Sequence, residues 1–191
     1  MFEFSPASYG GCADVLRKIP TDVALAVAKP KADLSGQIDD SQLFPNTTIA
    51  DPLMADCCRS GLLLAFDCYE DSHGISQDIE TTTASYWHAI LHRREPDMPN
   101  AKYWFRRVGS HVVYDKLNAA VQERIANSVL DIQPSGKAQF LIQQSSWDAI
   151  AFVDLCESAI DGDIELTPLC NDISRLEWQL LFDYTYHAAI G

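Results

Sequence analysis

The chain has 191 residues, with 14 Lys and Arg against 27 Asp and Glu, for a formal charge of −13. That length suits one domain, or one domain with an arm, and is enough to bury a core without disulfides. The acidic balance argues against binding to duplex nucleic acid by phosphate neutralisation. No apolar run approaches the roughly 20 residues that span a bilayer, so neither nucleic acid nor membrane is an expected partner. At 47% hydrophobic and 21% charged residues the composition is globular rather than disordered.

The opening MFEFSPASYGG has neither a basic n-region nor an apolar h-region. Cys12, Cys57, Cys58, Cys68, Cys156 and Cys170 contain no C-x-x-C pair. Six reduced, buried thiols in a cytoplasmic protein are therefore expected.

Residues 1–50 read as an irregular arm packed on the body. They hold Pro6, Pro20, Pro30, Pro45 and the Gly10-Gly11 pair, with short helical stretches near Ala13–Ile19 and Thr21–Ala28 and a loop over Asp33–Gln42. Residues 51–191 read as a helical domain. Asp51-Pro52 is an N-cap followed by Pro at the first helical position. It opens a helix to about Asp71, extendable to Ile79, with Gly74 as a weak point. Thr81, Thr82 and Thr83 supply N-cap candidates for a helix over Ala84–Arg94, ended by Pro96 and Pro99. Further helices are predicted from Pro99 to Arg107, closed by Gly109, and from Tyr114 to Leu130, with a break at Pro134-Ser135-Gly136. Lys137–Gln144 is compatible with helix or loop. Trp147–Ile160 and Thr167–Ala189 complete the series, the last with Leu169, Ile173, Leu176, Leu180, Leu181 and Tyr184 at helical steps. The expected fold is all-α: a single globular domain of five to seven helices.

Chemistry concentrates in residues 70–107, which carry three of the five histidines. On a helix His88, His92 and Glu95 share one face, His92 about 40° one way from His88 and Glu95 about 20° the other. Two imidazoles at i, i+4 can hold one metal ion. Glu95 is then a third ligand or the catalytic general base. The preceding Glu70-x-x-His73 has the spacing of helical carboxylate–histidine metal sites, which makes Glu70 and His73 further candidate ligands for a divalent metal, zinc or iron.

Over residues 93–107 five basic residues face two acidic ones, a net +3 against −16 for the rest of the chain. Arg93, Arg106, Arg107 and Lys102 are therefore candidate anchors for a small anionic ligand, and Tyr103 a stacking surface for it. The same residues admit a structural reading, in which the arginines pair with Asp and Glu of neighbouring helices and the histidines are core residues. Neither a P-loop, nor G-x-G-x-x-G, nor a G-x-S-x-G elbow is present.

The segment Ser85-Tyr-Trp-His-Ala-Ile-Leu-His-Arg-Arg-Glu-Pro-Asp97, followed by Asn100-Ala-Lys-Tyr-Trp-Phe-Arg-Arg-Val-Gly109, resembles a family of uncharacterised proteins. Ser72-His73-Gly-Ile-Ser-Gln77 and Leu180-Leu-Phe-Asp-Tyr184 add to the resemblance, which covers roughly residues 55–190. It implies a shared, mainly helical domain and transfers no activity. Two functions are thus expected to compete: a metal-dependent enzyme acting on a small anionic substrate, and a non-catalytic ligand-binding or interaction module.

Overall fold

The computed structural model describes residues 2–19, 38, 40–127 and 136–191. All regular structure among them is helical. There are ten α-helices rather than five to seven: α1 (Ala13–Leu16), α2 (Asp40–Leu43), α3 (Pro52–Ala65), α4 (Tyr69–Gln77), α5 (Thr82–Arg94), α6 (Met98–Val108), α7 (Val112–Ala126), α8 (Phe140–Gln143), α9 (Ala149–Ile160) and α10 (Thr167–Ile190). α1, α2 and α8 are single four-residue turns, too short to carry a readable period. Short 3-10 segments at Pro6–Cys12, Gly136–Ala138 and Ile164–Leu166 complete the described helical structure.

The Asp51–Asp71 expectation is corrected. α3 ends at Ala65, and the chain turns through Asp67, which takes φ 61. Gly74 lies inside α4 instead of ending a helix. Residues 40–42, expected in a loop, belong to α2, and Lys137–Gln144 holds a 3-10 turn and α8. The Thr21–Ala28 stretch, Pro134, Ser135 and the end of the Tyr114–Leu130 helix lie outside the described residues.

The caps follow local chemistry. The Asp51 carboxylate accepts from Leu53 and Met54 N–H, Thr81 from Ala84 N–H and Asp97 from Asn100 N–H, each satisfying donors that a helix leaves open. Ala189 O accepts from Ala50 N–H and Asp51 N–H, tying the start of α3 to the end of α10.

α5 is the central helix. It packs against α3, α4 and α6, and every residue from Thr83 to Arg94 is buried. α10 closes the other side against α3, α7 and α9. Where α3 meets α5, Gly61 packs tightly against the Trp87 ring, and its carbonyl accepts from Trp178 Nε1–H at 2.8 Å. From the first fifty residues, Tyr9, Cys12, Leu16, Ile38, Leu43 and Phe44 are buried in the same core. The Tyr9 ring meets Phe182 and Tyr186 edge-on, and its hydroxyl donates to Asp183. All six cysteines are reduced and buried. Among the described residues no helix is long and apolar enough to cross a membrane.

Candidate metal centre

A helix buried all round is normally apolar. α5 buries Thr83, Ser85, His88, His92, Arg93 and Arg94. Each therefore requires a partner, because a buried polar group without one costs about 1–3 kcal/mol.

The two arginines are neutralised internally. Arg93 is 1% exposed and donates to Glu177 on α10 at 2.5 Å, while Tyr86 OH donates to the second Glu177 oxygen at 2.9 Å. Burial opposes the Arg93 charge, but Glu177 overcomes this and holds the guanidinium firmly protonated. Arg94 pairs with Asp67 at 2.6 Å and donates to Leu64 O, closing the turn between α3 and α4. Arg93 is consequently a core ion pair and not a ligand anchor. Lys102 is likewise engaged with Asp154 at 2.5 Å and Glu157 at 3.3 Å, fastening α6 to α9. Arg106 and Arg107 are exposed and form no ion pair among the described residues. Arg107 lies 5.1 Å from the centre of the Trp104 ring, and Tyr103 is exposed on the surface of α6.

The three histidines come together. One ring nitrogen from each of His73, His88 and His92 falls within 4.8 Å of the other two. His88 Nε2 and His92 Nε2 are 3.0 Å apart. Two nitrogens each about 2.0–2.1 Å from one zinc ion are separated by roughly 3.0–3.4 Å, so this spacing suits a shared ion.

The opposite side of the His88 ring favours one tautomer. Ser76 Oγ donates to Ser72 O at 2.9 Å, leaving a lone pair toward His88 Nδ1 at 2.8 Å. Nδ1 then carries the proton and Nε2 is an acceptor. On His92, Asn100 Nδ2–H donates to Nε2 at 3.2 Å, and Nδ1 faces Glu95 Oε2 at 3.3 Å without hydrogen-bond alignment. Glu95 is steadied by a hydrogen bond from Tyr69 OH. Burial, reinforced by His92 and His73, pushes His88 down to about 3. Burial and His73 also lower His92, against the opposing pull of Glu95 and Asp97. Both rings are thus neutral at pH 7, the form that ligates metal.

The cluster opens to solvent on one side. His73 and Trp104 are half-buried and Glu95 is exposed, while the Trp104 ring lies 4.2 Å from that of His88. Glu70 is exposed and does not converge with the histidines, despite its i, i+3 spacing from His73. Glu95 converges with His92 and Asp97 instead, behind the His92 ring. Sequence reasoning missed Asp97, Asn100 and Tyr69 at the rim and the role of Ser76. Ser76 stands four residues before Glu80 and one helix away from His88, so no spacing rule joins them.

No family model, no curated protein and no solved structure matches the chain.

Proposed function

We propose that the protein is a metal-dependent enzyme with a mononuclear three-histidine centre, zinc by preference and iron second, acting on a small anionic substrate. The observation that carries this reading is the convergence of one ring nitrogen each from His73, His88 and His92, with the Nε2 atoms of His88 and His92 3.0 Å apart. A metal ion at this point would take the one lone pair of His92 Nε2, which the Asn100 amide otherwise occupies. Imidazole ligands suit zinc, iron, copper or nickel. Three protein ligands with one solvent-facing side follow the pattern of catalytic rather than structural zinc, in which the ion lowers the pKa of bound water or polarises a substrate oxygen.

Glu95 has two parts in this reading. Through His92 Nδ1 it orients a ligand, as carboxylates behind metal-bound histidines do. As an exposed carboxylate at the rim it is also the candidate general base. Arg106 and Arg107 are the anchors that remain once Arg93, Arg94 and Lys102 are assigned to internal pairs. The resemblance carried by residues 85–109 brings no activity, so the reading rests on geometry alone.

The test is elemental analysis of protein purified without an affinity tag, alongside His88→Ala and His92→Ala. About one equivalent of a transition metal in the wild type, lost in both variants, is the expected result. No metal in the wild type, and no uptake on adding zinc or iron, leaves the non-catalytic binding module with structural histidines.

A further inference from the structure

Ser85 is a buried residue of α5 which, like Trp87 Nε1 and Arg93 Nη1 of the same helix, leaves a polar group without a hydrogen-bond partner. It is 5% exposed, and its hydroxyl makes no hydrogen bond among the described residues. It lines a surface cleft of about 330 Å³ together with Glu80, Thr81, Thr82 and Arg107. The cleft lies at the N-terminal end of α5, a helix of 13 residues. Thr81 caps that end by accepting from Ala84 N–H, and Ser85 N–H reaches Thr81 O. The N–H groups of Thr82 and Thr83 have no acceptor among the described residues. Helix amides left open in this way, with the positive end of the helix dipole behind them, favour an anion. Arg107 adds a guanidinium that forms no ion pair, although Glu80 lines the same cleft.

We infer that this cleft is a binding site for a compact oxyanion, a phosphate or carboxylate group. The Ser85 hydroxyl, the Thr82 amide and the Arg107 guanidinium are its donors. A fork-shaped guanidinium and converging N–H groups match such an anion in geometry as well as charge. The site is separate from the histidine cluster but built on the same helix, with Ser85 three residues before His88, a rise of about 4.5 Å. The Trp104 ring touches both sites, 4.2 Å from the His88 ring and 5.1 Å from the Arg107 guanidinium carbon. The inference deepens the enzymatic reading by seating the substrate's charge. It rests on that reading only for the anion's being part of a substrate, not for the binding itself. Glu80 opposes the anion, which sets the sign of one variant below.

Titration calorimetry with inorganic phosphate, and in parallel with acetate and malonate, tests the site and distinguishes the two sources of oxyanion. The wild type should bind at least one of them. Arg107→Ala should weaken binding tenfold or more and Arg107→Lys by less. Ser85→Ala should weaken it several-fold, and Glu80→Gln should tighten it several-fold. Melting temperatures without ligand, unchanged for the exposed Arg107 and Glu80 variants, exclude misfolding as the cause. His88→Ala should retain the anion while losing metal, so the anion site and the metal centre fail or stand independently. Absence of binding in the wild type, or binding unaltered by Arg107→Ala, overturns the inference.

Discussion

His88 Nε2 and His92 Nε2 lie 3.0 Å apart, while the remaining nitrogen of each ring turns away, to Ser76 and to Glu95 respectively. Two residues about one helical turn apart therefore bring a ring nitrogen each to a single point. An ion held there binds the folded state and not the unfolded chain, so it stabilises by mass action. Free zinc at a hundred times its dissociation constant should add about 2.7 kcal/mol. Thermal unfolding with zinc, and then with a chelator, measures this. An unchanged melting temperature counts against the centre.

The outward partners should matter for affinity more than for folding. Ser76→Ala removes the acceptor of His88 Nδ1–H, and Glu95→Gln removes the charge facing His92. Each is expected to weaken metal binding by roughly 10–100-fold, the usual cost of losing such a support. Competition with a colorimetric chelator reads the change. Equal affinity in wild type and variants would mean that the rings are oriented by packing alone.

Arg93 and Arg106 should separate sharply. Arg93→Ala leaves Glu177 charged and fully buried, and should cost about 3–5 kcal/mol in denaturant unfolding. Arg106→Ala, on the surface, should stay within about 0.5 kcal/mol of wild type. Similar costs for the two would contradict their assignment.

His111 caps α7. Its Nδ1 accepts from Val113 N–H at 3.3 Å, and its Nε2 meets Thr83 Oγ1 at 3.2 Å. Burial pushes it down to about 4. Between pH 6.5 and about 4 the unfolded chain therefore binds a proton that the folded chain refuses, and stability falls as pH falls. His88 contributes a slope of the same sign. His111→Asn keeps a capping oxygen without titrating, so metal-free protein carrying it should lose stability less steeply over this window. Parallel curves for the two proteins would show that His111 plays no part in the acid response.

Gly61→Ala should destabilise. A Cβ there falls 2.6 Å from Trp87 Cζ2, inside contact distance. The overpacking should cost roughly 1–3 kcal/mol, against the gain of less than about 1 kcal/mol from a better helix former. Chemical denaturation decides the sign.

The helical class and the central histidines were legible because both depend on local spacing. The spacing predicts a helix over Ala84–Arg94 where α5 spans Thr82–Arg94, and one over Pro99–Arg107 where α6 spans Met98–Val108. The break after Ala65 was not legible. It turns on Asp67 at φ 61 and on the Arg94 contact to Leu64 O, an interaction across 30 residues with no glycine or proline to announce it. Arg93 illustrates the opposite case. It stands about 100° round α5 from His92 and so cannot share the histidine face, but its partner Glu177, 84 residues away, is a product of tertiary packing. The spacing of Glu70 from His73 was suggestive, but α4 turns that carboxylate to solvent.

α4 buries only two residues, and both are serines. Ser72 exchanges hydrogen bonds with Ser60 of α3, and Ser76 meets His88 of α5. Apolar contact comes only from the half-buried Tyr69 and Ile75. Such a segment has little hydrophobic surface to lose on opening, so its amides should exchange with solvent ahead of those of α3 and α5. A metal ion bridging His73 to His88 and His92 would cross-link that loosely held helix to the most buried one. Occupancy of the centre would then be readable far from any assay, as the hydrogen-exchange lifetime of α4.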